Sequence, residues 1–211
     1  MALGTPWRRP RYTLELARAL IARSDIDLSL SLSRGNTALA EFTALSCPCD
    51  IVDTYSSVAS FVAASLRLPM IRAALQAKIA ESGADVVVAT MPHVWSWFLA
   101  PAARNANVRL VTIIHDAHAH PGDLNPLLPW RIRRELAAAD GVVTLSDHVK
   151  RLLVKSCDYP DERIAVLPLG PFAFTPLPSI AASGHRGGFR ATGRSVFSFL
   201  VGCSRTRAWR C

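Results

Sequence analysis

The sequence is short of the features that usually assign a chain to a compartment. It has no CxxC pair, and its five cysteines, Cys47, Cys49, Cys157, Cys203 and Cys211, are odd in number. That argues against a secreted disulfide framework and fits a reducing cytoplasm. Residues 1–11 are polar, with Arg8 and Arg9 and no apolar core behind them, so no signal peptide is expected. Long apolar runs are also missing. One long uncharged stretch, 86–103, is interrupted by Pro92, His93 and Pro101 and divides into a strand and a helix. No acid occurs from 184 to 211, and no internal repeat is present.

What remains is a chain of 211 residues, half hydrophobic and 19% charged, enough for one domain with a packed core. The net charge of +8 would suggest an anionic partner. Six of those charges belong to Arg186, Arg190, Arg194, Arg205, Arg207 and Arg210, leaving +2 on residues 1–183. The basicity is a property of the tail. Aromatic platforms do not interleave with it, apart from Trp209 and a few phenylalanines, so nucleic acid is not expected as a partner.

The body alternates between helical and strand patterns. Thr13, Leu16, Ala17, Leu20 and Ile21 recur at helical spacing, predicting a helix over 11–23. Strands are predicted at 27–32 and 50–54, then helices at 56–68 and 70–81, parted at Pro69 and closed by Gly83. The β-branched run 85–90 suits a strand buried on both faces. Helix 93–105, strand 108–114, helix 127–138 and strand 141–145 follow. Ser146 and Asp147 then make an N-cap and an acidic first turn, and 163–167 is the last strand. Strand-helix alternation with short loops predicts an α/β fold, a parallel sheet with helices on both faces.

Ligands of such sheets gather where strand carboxyl ends meet the next loop. The richest loop here follows strand 108–114: His115-Asp116-Ala-His118-Ala-His120-Pro-Gly122-Asp123. Histidine and carboxylate could hold zinc or iron. Imidazoles could equally hydrogen-bond sugar hydroxyls or a phosphate, and a solvated polar loop has the same composition. Residues and spacing leave the three readings open. Cys47-Pro-Cys49 is a weaker metal or redox signal than a CxxC.

The run VTIIHDAHAHPGD, the junction DGVVTLSDHV and the exit RIAVLPLGPF, in that order, resemble the N-terminal domain of family 4 glycosyltransferases. RYTLELARAL resembles the family's first helix, and the likeness covers residues 10–172. It implies one half of a GT-B fold, two Rossmann-like domains facing across a cleft. The implied activity is transfer of a sugar from a nucleotide-sugar donor, itself a substrate, to a sugar or lipid-linked acceptor. It implies no metal and no cofactor. His115 is the implied catalytic residue, contacting acceptor or transferred sugar. Asp116, His120, Gly122 and Asp123 shape a substrate-binding loop, and Gly170 serves the interdomain hinge. A cytoplasmic enzyme touching the inner face of the membrane would fit a lipid-linked acceptor.

Two departures from the family pattern carry expectations of their own. Residues 1–10 offer neither the opening hydrophobic strand nor the glycine-rich loop, so a central strand is expected to be missing. Residues 173–211 read as a proline-marked linker and a basic, disordered tail where the donor-binding domain would begin. Read one base out of frame, codons for 194–211 permit VRVLFFGRLLPYKGLAL, which resembles the opening of that donor domain. A frameshift between about residues 171 and 193 would leave the acceptor-side half alone and inactive; a non-catalytic binding module or a decayed gene product is the alternative.

Overall fold

The computed structural model describes residues 8–55, 57–91, 95–116, 128–168 and 200–205. Its order is α1 (Arg8–Ile21), β1 (Ile26–Ser33), α2 (Leu39–Thr43), β2 (Cys49–Val52), α3 (Val58–Leu66), α4 (Leu68–Ser82), β3 (Val86–Ala89), α5 (Ser96–Leu99), α6 (Pro101–Asn105), β4 (Arg109–Ile114), α7 (Leu128–Ala138), β5 (Gly141–Thr144), α8 (Asp147–Cys157), β6 (Ile164–Val166) and β7 (Leu200–Arg205).

Two prolines act at different points from those the pattern suggests. Pro69 does not part the helices 56–68 and 70–81; it sits in the first turn of α4, where its missing N–H is harmless. Pro101 likewise starts α6 and splits the helix expected over 93–105. Gly83 ends α4 at φ +62°, with its N–H on the Ala80 carbonyl, a conformation that favours glycine. Ser146 caps α8, its Oγ accepting from the Val149 N–H at 3.3 Å.

The strands form one seven-stranded sheet in the order β2-β1-β7-β3-β4-β5-β6. Six strands pair in parallel, β1 with β2 and β3 through β6 in sequence order, as alternating strands and helices require. Adjacent residues of a strand point to opposite faces, and the core divides accordingly. Val87, Leu110, Ile114 and Val142 turn toward α4, α6 and α7 through Ile79, Ala102, Ala103, Ile132 and Leu136. Val88, Ile113 and Val143 turn toward α1, meeting Tyr12 and Leu16. Leu28, Leu30 and Leu32 add Leu14, Ala17 and the fully buried Phe42 on that side. Helices therefore cover both faces.

The slot that the Rossmann order gives to its first strand lies between β1 and β3. Here β7 fills it, antiparallel to both neighbours, with Leu30 opposite Val201 and Val88 also opposite Val201. This differs from the sequence reading in two ways. The sheet is mixed rather than wholly parallel, and residues 200–205, expected in an unstructured tail, sit at its centre. The physical reason is the demand of unpaired backbone. Without a strand there, the facing N–H and C=O groups of β1 and β3 would lie inside the domain without partners.

Candidate functional site

Parallel strands running the same way bring the ends of β1, β2, β3, β4, β5 and β6 to one edge. Crossovers leave β1 toward β2 in one direction and β3 toward β4, β5 and β6 in the other, so the topological switch point lies beside β3. Thr90, the residue after β3, is fully buried there. Its hydroxyl accepts from Thr13 Oγ1 of α1 at 3.0 Å. His115, the residue after β4, puts Nε2 2.9 Å from the Thr90 carbonyl oxygen. A carbonyl can only accept, so Nε2 carries a proton, and a neutral ring holds its lone pair at Nδ1.

The imidazole meets the ring of Tyr12 edge to face, with centroids 5.1 Å apart and an interplanar angle of 88°. The buried Tyr12 hydroxyl has no hydrogen-bond partner among the described residues, and burial raises its pKa above the ordinary phenol value. On the neighbouring strands, Ser33 Oγ and Thr54 Oγ1 share a hydrogen bond of 2.7 Å. Asn36 Oδ1 accepts from the Ala38 N–H at 3.0 Å while its buried Nδ2 has no partner among the described residues. Arg34 and Asp53 form an exposed ion pair.

An aromatic wall stands on the same edge. Tyr55, beyond β2, meets Trp95, beyond β3, at 5.2 Å, and Phe61 of α3 stacks on Trp95 at 5.6 Å with planes 14° apart. The sequence reading did not single out Tyr55, Trp95, Tyr12 or Asn36. The available signal was position: three of them follow strand ends, where ligands of this architecture collect.

Of the site residues read from sequence, His115 and Asp116 are described, His115 half-buried and Asp116 exposed. His120, Gly122, Asp123 and Gly170, with His118, lie outside the described residues. Among the described residues no group of three histidine, cysteine or acidic side chains gathers to hold a metal. Cys47 and Cys49 are free thiols, and burial pushes the Cys47 thiol up to about 11, so it is almost wholly protonated at neutral pH. A cavity of about 330 Å³ lies away from this edge, between β1, β2 and α4, with Asp50 and Lys78 paired at 3.7 Å in its wall.

The edge therefore offers hydroxyls, one imidazole, a buried amide and aromatic rings, a set suited to a polyhydroxylated ligand with apolar C–H faces. No curated protein matches the sequence. A profile for Glycosyltransferase Family 4 matches residues 10–170, most of the chain, and the parallel order of β3 through β6 with helices around it is one Rossmann-like half of a GT-B fold. The chain belongs to glycosyltransferase family 4.

Proposed function

We propose that this domain is the acceptor-side wall of a sugar-transfer cleft, which receives a sugar from a nucleotide-sugar donor. The observation that carries this reading is the place of His115: half-buried at the carboxyl end of β4, one strand from the switch point, and oriented by the Thr90 carbonyl. Holding Nε2 against the Thr90 carbonyl sets the direction of the ring at the edge where a hydroxyl of the incoming sugar or of the acceptor would be bound. Asp116, His120, Gly122 and Asp123 shape the loop beyond it, and Gly170 is the hinge toward a donor-binding unit. Catalysis in such a cleft rests on orienting two bound substrates and stabilising the leaving diphosphate. The acceptor wall supplies the orientation.

Binding without transfer is the second reading, and the make-up of the edge favours it. Two of its described carboxylates, Asp53 and Asp116, are exposed, and Asp53 is paired with Arg34. Neither is set as a buried base. The test is calorimetric titration of the chain with a panel of mono- and disaccharides, followed by incubation of any binder with nucleotide sugars. Saturable acceptor binding, weakened in His115→Ala, supports the acceptor wall. Product formation separates transfer from mere binding. No binding to any saccharide in the panel overturns the proposal.

A further inference from the structure

We propose that α3 is an interfacial membrane anchor that lies in the headgroup region of an anionic bilayer. The argument begins with a helix facing the wrong way. An α-helix on a soluble domain turns its apolar stripe inward. In α3, Val58, Val62 and Leu66, spaced four residues apart, point outward with Ala59 and Ala63, and Met70 continues the patch past the corner. Their exposures are 82%, 55% and 81% for Val58, Val62 and Leu66, and 73% for Met70. No residue of α3 is fully buried. Its inner side is thinner: Phe61 stacks on Trp95, and Ala64 and Ser65 are half-buried.

Charge chooses among the partners such a patch could meet. From Thr54 to Ala80 there is no acid, while Arg67, Arg72 and Lys78 are basic. Lys78 is near Asp50 and Arg72 lies over the Phe98 ring, but Arg67 stands exposed between Leu66 and Met70. An apolar patch with an arginine at its rim matches acyl chains below anionic headgroups. Length rules out α3 by itself as a span. The nine residues of α3 extend about 13 Å, and α4 turns away by 67°. A hydrocarbon core is about 30 Å thick. The helix can lie in the interface but cannot cross it. Because α3 follows β2 at the sheet's carboxyl edge, docking there brings His115 and the Tyr55–Trp95 wall to the membrane side of the domain.

The test must separate this patch from the arginine tail, which also attracts anionic surfaces. The full chain is co-sedimented with phosphatidylcholine vesicles, with and without a quarter phosphatidylglycerol, at low salt and at 0.5 M NaCl. High salt screens the tail but leaves apolar insertion. Parent protein is expected to remain bound at high salt, and Val62→Asp/Leu66→Asp to lose about tenfold or more in partitioning. The milder Leu66→Ser guards against a folding defect, with melting curves as control. Arg67→Glu is expected to weaken binding only to the anionic vesicles. Binding that vanishes at high salt in the parent, or survives unchanged in the aspartate variant, overturns the proposal. So does a dimer that the aspartate variant dissolves, which would give the patch to a second copy of the chain.

Discussion

His115 Nε2 donates to the carbonyl of Thr90 across 2.9 Å, joining the ends of β4 and β3 by a side chain where ligands of open α/β sheets gather. The bond fixes both the tautomer and the direction of the ring. Replacing His115 by Ala is expected to lower acceptor affinity by about tenfold, the worth of one lost hydrogen bond to a ligand, while reducing stability by only about 1 kcal/mol. His115→Gln keeps a donor for Thr90 and should fall between. Titration calorimetry and denaturant unfolding separate the two effects.

The pair Thr13–Thr90 ties α1 to the end of β3 inside the core. Thr90→Val deprives the buried Thr13 hydroxyl of that partner and should cost about 1–3 kcal/mol of unfolding free energy. The double variant Thr13→Val/Thr90→Val should be less destabilised than the sum of the singles, because neither hydroxyl then lacks its mate. Strict additivity would show that the two hydroxyls do not act together.

Glu135 of α7 is buried with neither carboxylate oxygen hydrogen-bonded among the described residues, and Arg131 Nε stands 3.8 Å away. Burial raises its pKa from 4.5 to about 7, against the smaller lowering by Arg131. The native state therefore keeps a proton that the unfolded state has lost between those two values. Stability from this group is fully present below pH 4.5, falls as pH rises toward 7, and levels off above it. The whole change is on the order of 3 kcal/mol. Glu135→Gln should flatten that slope when chemical unfolding is followed from pH 4.5 to 8. An unchanged slope would mean that the carboxyl ionises as freely in the folded chain as in the unfolded one.

β7 bridges β1 and β3, which have no other strand between them. Deleting residues 200–211 should open two edges in the middle of the sheet. The expected result is a melting temperature lower by about 10 °C or more, as a loss of roughly 3 kcal/mol gives in a domain this size, with aggregation on size-exclusion chromatography. A truncated chain that stays monomeric with the parent's melting curve would remove β7 from any structural role.

Most of the frame was legible because local chemistry and tertiary context agree. The Val86-Val-Val run, Gly83 at a left-handed helix end and Ser146 at a helix start each act through their own backbone. Where sequence and structure part, tertiary demand decides. Nothing in residues 200–205 marks them as central; the vacancy between β1 and β3 gives them their place. The short α2 was also missed, because five residues present too little of a period to read. At the candidate site, His115 was legible as the residue after an apolar strand. Tyr12 and Thr13 were not, since they reach the edge from a helix about a hundred residues earlier and only folding brings them there.

The account depends on sugar binding at the carboxyl edge of the sheet. The most direct test is a backbone amide NMR spectrum of the chain, titrated with the saccharide that binds best. Shifts that saturate together at Thr90, Met91, His115, Asp116 and Tyr55 are predicted, and they should be lost in His115→Ala. Shifts confined to the cavity beside β1, β2 and α4, at Ser29, Ser31 and Asp50, would contradict it.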